Sequence, residues 1–293
     1  MNGIVGRATG PRTAVVTGAS SGIGRETAKA LAAAGWRVIG VGRDPVRSAA
    51  AEADIRGAAQ GAGVDMLRAD LSLMSEVLRT AAAVAALTDR IHLLVNNAGG
   101  MTRELVMTAE GLEQNFAGNH LGPFLLTLRL LPLLRRAAAG AAAGSVRIVG
   151  TTSDASEMVP GFDWEDIQSL RNWNPGVAYC RGKLANVLFT RALAARLAAD
   201  GIVAHAAHPG AVDSNFAAQA GEAMLARFKT MSLYTAAQGA DTVFWLATAD
   251  EPGRSSGGYW FQRQPRRPNP LAEDPAAADR LWQASERLLQ RWL

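Results

Sequence analysis

The sequence predicts an α/β protein, a doubly wound parallel sheet of about seven strands with helices on both faces. Three observations predict it. Short runs rich in β-branched residues alternate with stretches of helical periodicity. Glycines stand directly after the first such run, where a strand has to turn sharply into a helix. No shift of composition and no internal repeat divides the 293 residues, so one domain is expected over 12–293, after a flexible tail over 1–11.

The elements follow in order. Residues 13–17 (TAVVT) form the first strand, and the helix over 22–34 stops at Gly35. The second strand is 37–41. A helix over 44–60 has Asp44 as N-cap and Pro45 at its first position, where a missing N–H costs nothing. Strands 64–67 and 91–95 enclose a helix over 71–87. A long helix, 112–139, leads to the fifth strand, 146–151. The stretch 154–175 is irregular. Helix 177–199, strand 202–206, helix 235–248 and a short strand 258–261 come next. The proline-rich 265–275 is a surface connection to a last helix, 276–289, with Leu281, Trp282, Leu288 and Leu289 on one side.

Composition excludes several functions. Cys180 is the one cysteine, so neither an internal disulfide nor a zinc–thiolate cluster can form. His92, His120, His205 and His208 lack ligand-spaced partners, so no metal is expected. Net charge is +4, but the arginines sit singly on alanine-rich helix faces, and the dense group Arg263, Arg266 and Arg267 has no interleaved aromatics. Nucleic acid is therefore not an expected partner. No apolar run is long enough to span a membrane, and the first residues have no signal-peptide core; a cytoplasmic protein is expected.

The first strand-to-helix turn reads Thr17-Gly18-Ala19-Ser20-Ser21-Gly22-Ile23-Gly24. A helix start there offers free N–H groups and partial positive charge to a phosphate. Gly18 allows the turn, Gly22 lets backbone approach a pyrophosphate, and Gly24 lets helix pack on strand. The spacing, G-x3-G-x-G, is neither the commoner dinucleotide fingerprint nor a P-loop.

This loop resembles the cofactor loop of the classical short-chain dehydrogenases/reductases. Four more stretches agree in the family's order: Asn96-Asn97-Ala98-Gly99 after the fourth strand, Asn119 in the long helix, Ser153 with Tyr179-x3-Lys183, and Pro209-Gly210 after the sixth strand. AYCRGKLANVLFTRALAARL and RLWQASERL are similar to the retinol-dehydrogenase-like branch, to which WW-domain oxidoreductases are related. The resemblance implies a single-domain Rossmann fold and hydride transfer between a nicotinamide cofactor and a carbonyl or alcohol.

It also implies roles. Tyr179 is the general acid/base; its ordinary pKa near ~10 is too high for a base, and the charge of Lys183, one turn on, together with that of an oxidised nicotinamide, is expected to lower it. Lys183 also holds the nicotinamide ribose. Ser153 holds the substrate oxygen, and Asn119 positions a water in a proton relay. Thr152 points to the opposite face from Ser153. Asp154 is charged where relatives usually carry an uncharged residue. Ser20, Ser21 and Ile23 belong to the phosphate loop, Asp70 and Leu71 to the adenine, Asn97, Ala98 and Gly99 to its ribose. Pro209, Gly210, Val212 and Ser214 reach the carboxamide. Asp70 could equally cap the following helix.

NAD-specific members carry an acid at the end of the second strand, to grip the ribose 2′-hydroxyl. Here that place is Gly42, and Arg43 follows, with Ser21 and Arg25 near; NADP(H) is expected in preference to NAD(H). The substrate is expected to be a lipophilic small molecule. Trp164 and Trp173 either line its site or pack under the long loop. Met224, Leu225, Phe228 and Met231 form a helical stripe that is either a pocket wall or core. A homo-oligomer paired through 112–139 and 177–199 is also expected. A tailoring ketoreductase of secondary metabolism and a non-catalytic NADP-binding regulator are the alternatives.

Overall fold

The computed structural model describes residues 11–214, 216 and 221–293, and the side chains of 223, 224 and 227 lie outside that description, as do residues 1–10 of the tail expected over 1–11. Eight strands form one sheet in the order β3-β2-β1-β4-β5-β6-β7-β8. They are β1 Thr13–Thr17, β2 Arg37–Gly42, β3 Val64–Arg68, β4 Leu93–Asn96, β5 Arg147–Thr151, β6 Val203–His208, β7 Tyr259–Phe261 and β8 Gln264–Pro265. All pairings are parallel except the last, which is antiparallel. The eighth strand falls where a bare surface connection was expected: the turn through Gln262 and Arg263 has positive φ at both, so the chain reverses tightly onto β7.

The helices are α1 Gly22–Ala33, α2 Pro45–Ala58, α3 Met74–Leu87, α4 Gln114–Phe116, α5 Gly122–Ala138, α6 Pro175–Leu197, α7 Glu222–Lys229, α8 Ala236–Thr248 and α9 Pro275–Leu289. One buried cluster packs α1, α2 and α8 on the sheet, and a larger one packs α3, α5, α6 and α9 on its other face. Burial on both faces explains why the strands read as continuous apolar runs.

Among the boundaries that differ from the sequence expectation, two are set by long-range bonds and one by a local irregularity. α3 starts at Met74 rather than 71, because the Glu110 carboxylate accepts the N–H groups of Met74 and Ser75. β4 starts at Leu93 because Ile91 N–H turns away to the Leu133 carbonyl. The long helix is broken: α4 and α5 are joined by a π-turn over Ala117–Leu121. Asp44 caps α2 as expected, accepting from Arg47 N at 2.8 Å.

The C-terminal helix α9 seats Trp282 against Phe124 and Phe189, with the Arg196 guanidinium 4.1 Å above its ring. Ser285 meets the buried His120 ring at 2.7 Å. α9 thus lies over α6. The dense arginine group is paired within the fold: Arg263 with Asp241, Arg266 with Glu157, Arg267 with Glu273. Among the described residues no helix is long and apolar enough to cross a membrane.

Candidate active site

The strand order reverses between β1 and β4, and the loops leaving the sheet there splay apart. A cavity of about 630 Å³ opens along that edge. The residues named from the sequence for catalysis and cofactor binding line it, except Gly24 and Arg25. A Cβ on Gly24 would lie 2.3 Å from the Gly18 carbonyl oxygen, so this glycine serves the packing of α1 under the loop and not the cavity.

The glycine loop is locked from behind. Thr17 Oγ1 accepts from Asn97 N and Ala98 N at 2.9 and 3.0 Å and donates to the Val95 carbonyl. Asn97 Nδ2 returns a bond to the Thr17 carbonyl at 3.0 Å. Gly18 and Gly22 sit at φ +69° and +53°, where a side chain would be strained. Ser21, the N-cap of α1, makes no side-chain cap, so the first N–H groups of α1 face the cavity mouth uncapped.

At the end of β2, a Cβ on Gly42 would meet Ser48 Oγ at 2.4 Å and Ser20 Cβ at 2.7 Å. No acidic side chain fits there. Arg43 is more than half exposed and reaches Asp70 Oδ2 at 3.5 Å. Asp70 does not cap α3; it holds Ser72 N and Oγ at 3.0 and 2.7 Å. Arg25 is drawn off to Asp54 and Glu26 and does not line the cavity. Arg47 does, a residue that sequence reasoning missed although it lies one turn into α2 from Asp44.

Toward the middle, Lys183 is buried and donates to the Thr151 carbonyl at 3.3 Å, its Nζ 5.6 Å from the centre of the Tyr179 ring. Thr152 is indeed turned away, donating to the Lys183 carbonyl at 2.8 Å. Gly99 packs against both Asn119 and Lys183: its Cβ would lie 2.5 Å from Asn119 Oδ1 and 3.2 Å from Lys183 Nζ. Asn119 Nδ2 spends both protons on the carbonyls of Gly100 and Asn115, each at 2.8 Å, and Oδ1 accepts from Gly100 N at 3.2 Å. The π-turn sets this side chain, a common use of such irregular turns.

Ser153 Oγ donates to Asp154 Oδ1 at 3.0 Å and accepts from Ala155 N at 3.2 Å. Burial acts on Tyr179 most strongly and disfavours the phenolate; the Ser153 hydroxyl beside it works the other way, and Cys180 and Asp154 add to the effect of burial. The phenol is therefore raised above its ordinary value by the protein's own groups. Burial also brings the Lys183 ammonium down to about 8, so it carries less charge to offer. The Cys180 thiol is raised by burial and by Asp154, which makes it a poor nucleophile.

His208 was considered for metal only. Its Nδ1 accepts from Asp154 N at 3.2 Å and Gly210 N at 3.4 Å, and its ring stacks on Phe261 at 4.8 Å. That fixes the neutral tautomer, and burial lowers its pKa. No group of three His, Cys, Asp or Glu that could hold a metal occurs among the described residues. Trp164 stacks with Phe162 and Arg280, and Trp173 donates to the buried Glu113 at 3.2 Å. Neither tryptophan lines the cavity; both pack the long loop down. Of the apolar stripe, Phe228 and Met231 line the cavity and Leu225 is exposed, while the Met224 side chain lies outside the described residues.

A family model described as short chain dehydrogenase matches residues 12–225, well over half of the chain. The chain belongs to that family. It is an oxidoreductase by that membership, and its relatives agree. It is 36% identical over 283 residues to human retinol dehydrogenase 12, covering 96% of this chain and 87% of that one. To human retinol dehydrogenase 13 it is 35% identical, covering 95% and 84%. An uncharacterised Mycobacterium paratuberculosis protein of known structure shares 33% identity at a TM-score of 0.75, covering 96% of this chain and 94% of its own. RhlG of Pseudomonas aeruginosa, solved in an active-site complex with NADP, shares 26% at 0.69, covering 87% and 95%.

Proposed function

We propose that this short-chain dehydrogenase moves a hydride between NADP(H) and a carbonyl or alcohol group of a lipophilic small molecule, with Tyr179 as general acid/base. The observation that carries this reading is the meeting of Ser153, Tyr179 and Lys183 in one cavity with a glycine loop at its far end. The residues fit the cofactor. Uncapped N–H groups of α1 suit a pyrophosphate. The filled space at Gly42 excludes the acid that a 2′-hydroxyl needs, and Arg43 and Arg47 line the cavity there to meet a 2′-phosphate. The likeness to an NADP-bound structure supports the same choice.

When bound, the nicotinamide gives or accepts the hydride at the substrate carbon. Tyr179, kept protonated by burial, hands its proton to the substrate oxygen in reduction and recovers it in oxidation. Ser153 would hold that oxygen by turning its proton from Asp154 to the substrate. Lys183, charged below about pH 8 and with its Nζ 5.6 Å from the centre of the Tyr179 ring, would hold the ribose hydroxyls. With both Asn119 amide protons engaged, a relay water at Asn119 would donate to Oδ1. Gly18, Ser20, Ser21, Gly22 and Ile23 take the phosphates; Asp70, Leu71, Asn97, Ala98 and Gly99 the adenosine; Pro209, Gly210, Val212 and Ser214 the carboxamide. The homo-oligomer proposed from the resemblance would have to form with α9 already seated on α6.

The test is oxidation of NADPH, with NADH in parallel, across aldehydes, ketones and retinoids. Turnover of at least one class with NADPH preferred is expected. Tight NADPH binding without turnover of any member would leave a regulator instead.

A further inference from the structure

The substrate end of the cavity carries a charge that hydride transfer does not use. Asp154 lines it directly beside Ser153 and Tyr179. Its Oδ1 takes the Ser153 proton, and its Oδ2 has only the His208 ring, at 3.8 Å. That ring is neutral, its Nδ1 being committed as an acceptor. No arginine or lysine among the described side chains lies within 4.0 Å of Asp154. The contrast with Glu157, three residues on, is sharp: Arg266 grips that carboxylate at 2.7 and 2.8 Å, and Tyr259 adds a third bond. Asp154 is 46% exposed, and the space it faces is the cavity.

The rest of that end is aromatic and soft. The rings of Tyr179 and Phe216 lie 5.0 Å apart, and Phe216 and Phe228 6.2 Å. Met158 and Met231 complete the wall. A carboxylate among ring faces and thioethers suits an alkylammonium, whose apolar chain meets the wall while its head gains the opposite charge and the negative ring faces together. The field of Asp154 reaches its surroundings: it adds to the upward push on Tyr179 and Cys180, and it is felt by Arg266, whose guanidinium is bound to Glu157.

We infer that Asp154 is a specificity-determining residue, which with Phe216 and Phe228 receives a protonated amine on the substrate, a few bonds from the reacting carbonyl. The substrate is then an amino ketone or amino alcohol with an otherwise apolar body. This rests on the function proposed above, so the experiment separates the two. Binding is read first, by calorimetry on the NADP-saturated enzyme, with hexyltrimethylammonium and its neutral carbon isostere as probes. The ammonium should bind at least tenfold more tightly, and Asp154→Asn, which keeps the side chain's volume and an acceptor for Ser153, should erase that ratio. Kinetics follow: kcat/KM for a dimethylamino ketone over that for its carbon isostere, each with NADPH. The ratio should exceed ten in the wild type and approach one in Asp154→Asn, whatever happens to the absolute rates. Equal binding of the two probes, or a cation preference that survives in Asp154→Asn, overturns the inference. A preference for the matching hydroxy compound over the ammonium overturns it as well, in favour of a neutral donor. Cation-selective binding without turnover of any ketone keeps the site and removes the reaction.

Discussion

At the nucleotide end of the cavity the walls are backbone, held so closely that a methyl group has no place at Gly18, Gly24 or Gly42. At the substrate end they are side chains, Asp154, Met158, Phe216, Phe228 and Met231 among them. The first end has its geometry set by the sheet: Thr17, Asn97 and the loop between them are tied by four bonds across β1 and β4. The second is set by a few long-range anchors, such as Trp173 on Glu113 and Arg266 on Glu157. One end is built to bind a constant ligand; the other can be altered without disturbing it. The difference teaches where function is general and where it is particular to this chain.

Tyr179 stands at the seam, and replacing it should have the largest effect. Tyr179→Phe keeps the ring on Phe216 and removes only the proton donor. Turnover is expected to fall by ~10²–10⁴-fold, while NADPH affinity by fluorescence titration stays within about twofold. Comparable loss of cofactor affinity would show that the two ends are not separable there.

Lys183 tests the cofactor end as a costly piece of construction. Its amine is brought to about 8 by burial, from an ordinary 10.5. Below pH 8 it is charged in the folded and the unfolded chain alike, and the folded chain bears the whole desolvation cost. At ~1.36 kcal/mol per pKa unit that is about 3 kcal/mol. Between pH 8 and 10.5 the folded chain releases its proton first, and the cost is relieved as pH rises. Lys183→Met should therefore be inactive yet more stable than wild type at pH 7, and the gap should close toward pH 10.5. Urea unfolding across that range decides it; a variant less stable at pH 7, or a gap independent of pH, breaks the assertion.

Much of the nucleotide end was legible because glycine needs are local. Gly18 and Gly22 can be read from a strand, a turn and a helix start, and so can the N-cap Asp44. The fold class followed from alternation alone. What could not be read depends on contacts far along the chain. Glu110 delays α3 from 36 positions away. Arg25 and Arg47 look alike beside the loop, but Asp54, on the facing helix, claims the first. Spacing puts Lys183 one turn from Tyr179, but not how deeply the two are buried, and burial disfavours the charged form of each. The roles of Trp164, Trp173 and His208 were set by partners that no spacing reveals.

Arg43 sharpens the nucleotide end further. A charge-assisted bond to a phosphate is worth about 1.5–3 kcal/mol, but this side chain is 56% exposed, so solvent screening puts it at the low end. Arg43→Ala should lower the NADPH-to-NADH ratio of kcat/KM about tenfold. An equal loss for both cofactors would leave the 2′-phosphate to Arg47.

The smallest effect belongs to the substrate end, and it asks how far the apolar wall extends. Met101, Met158, Phe228 and Met231 line the cavity beyond Tyr179. Methionine is adaptable, so this wall should accept chains of different length rather than one fixed shape. Each methylene moved from water onto it contributes ~0.8 kcal/mol, about fourfold in kcat/KM. A straight-chain ketone series measured with NADPH should therefore rise about fourfold per carbon and then level off when the wall is covered. Phe228→Ala should shift the plateau to longer chains, because the lost ring opens space at the far side, while leaving the NADPH-to-NADH ratio where it was. A flat series, or a change in that ratio, would mean that the two ends of the cavity are coupled and that Phe228 serves the packing of the fold rather than the substrate.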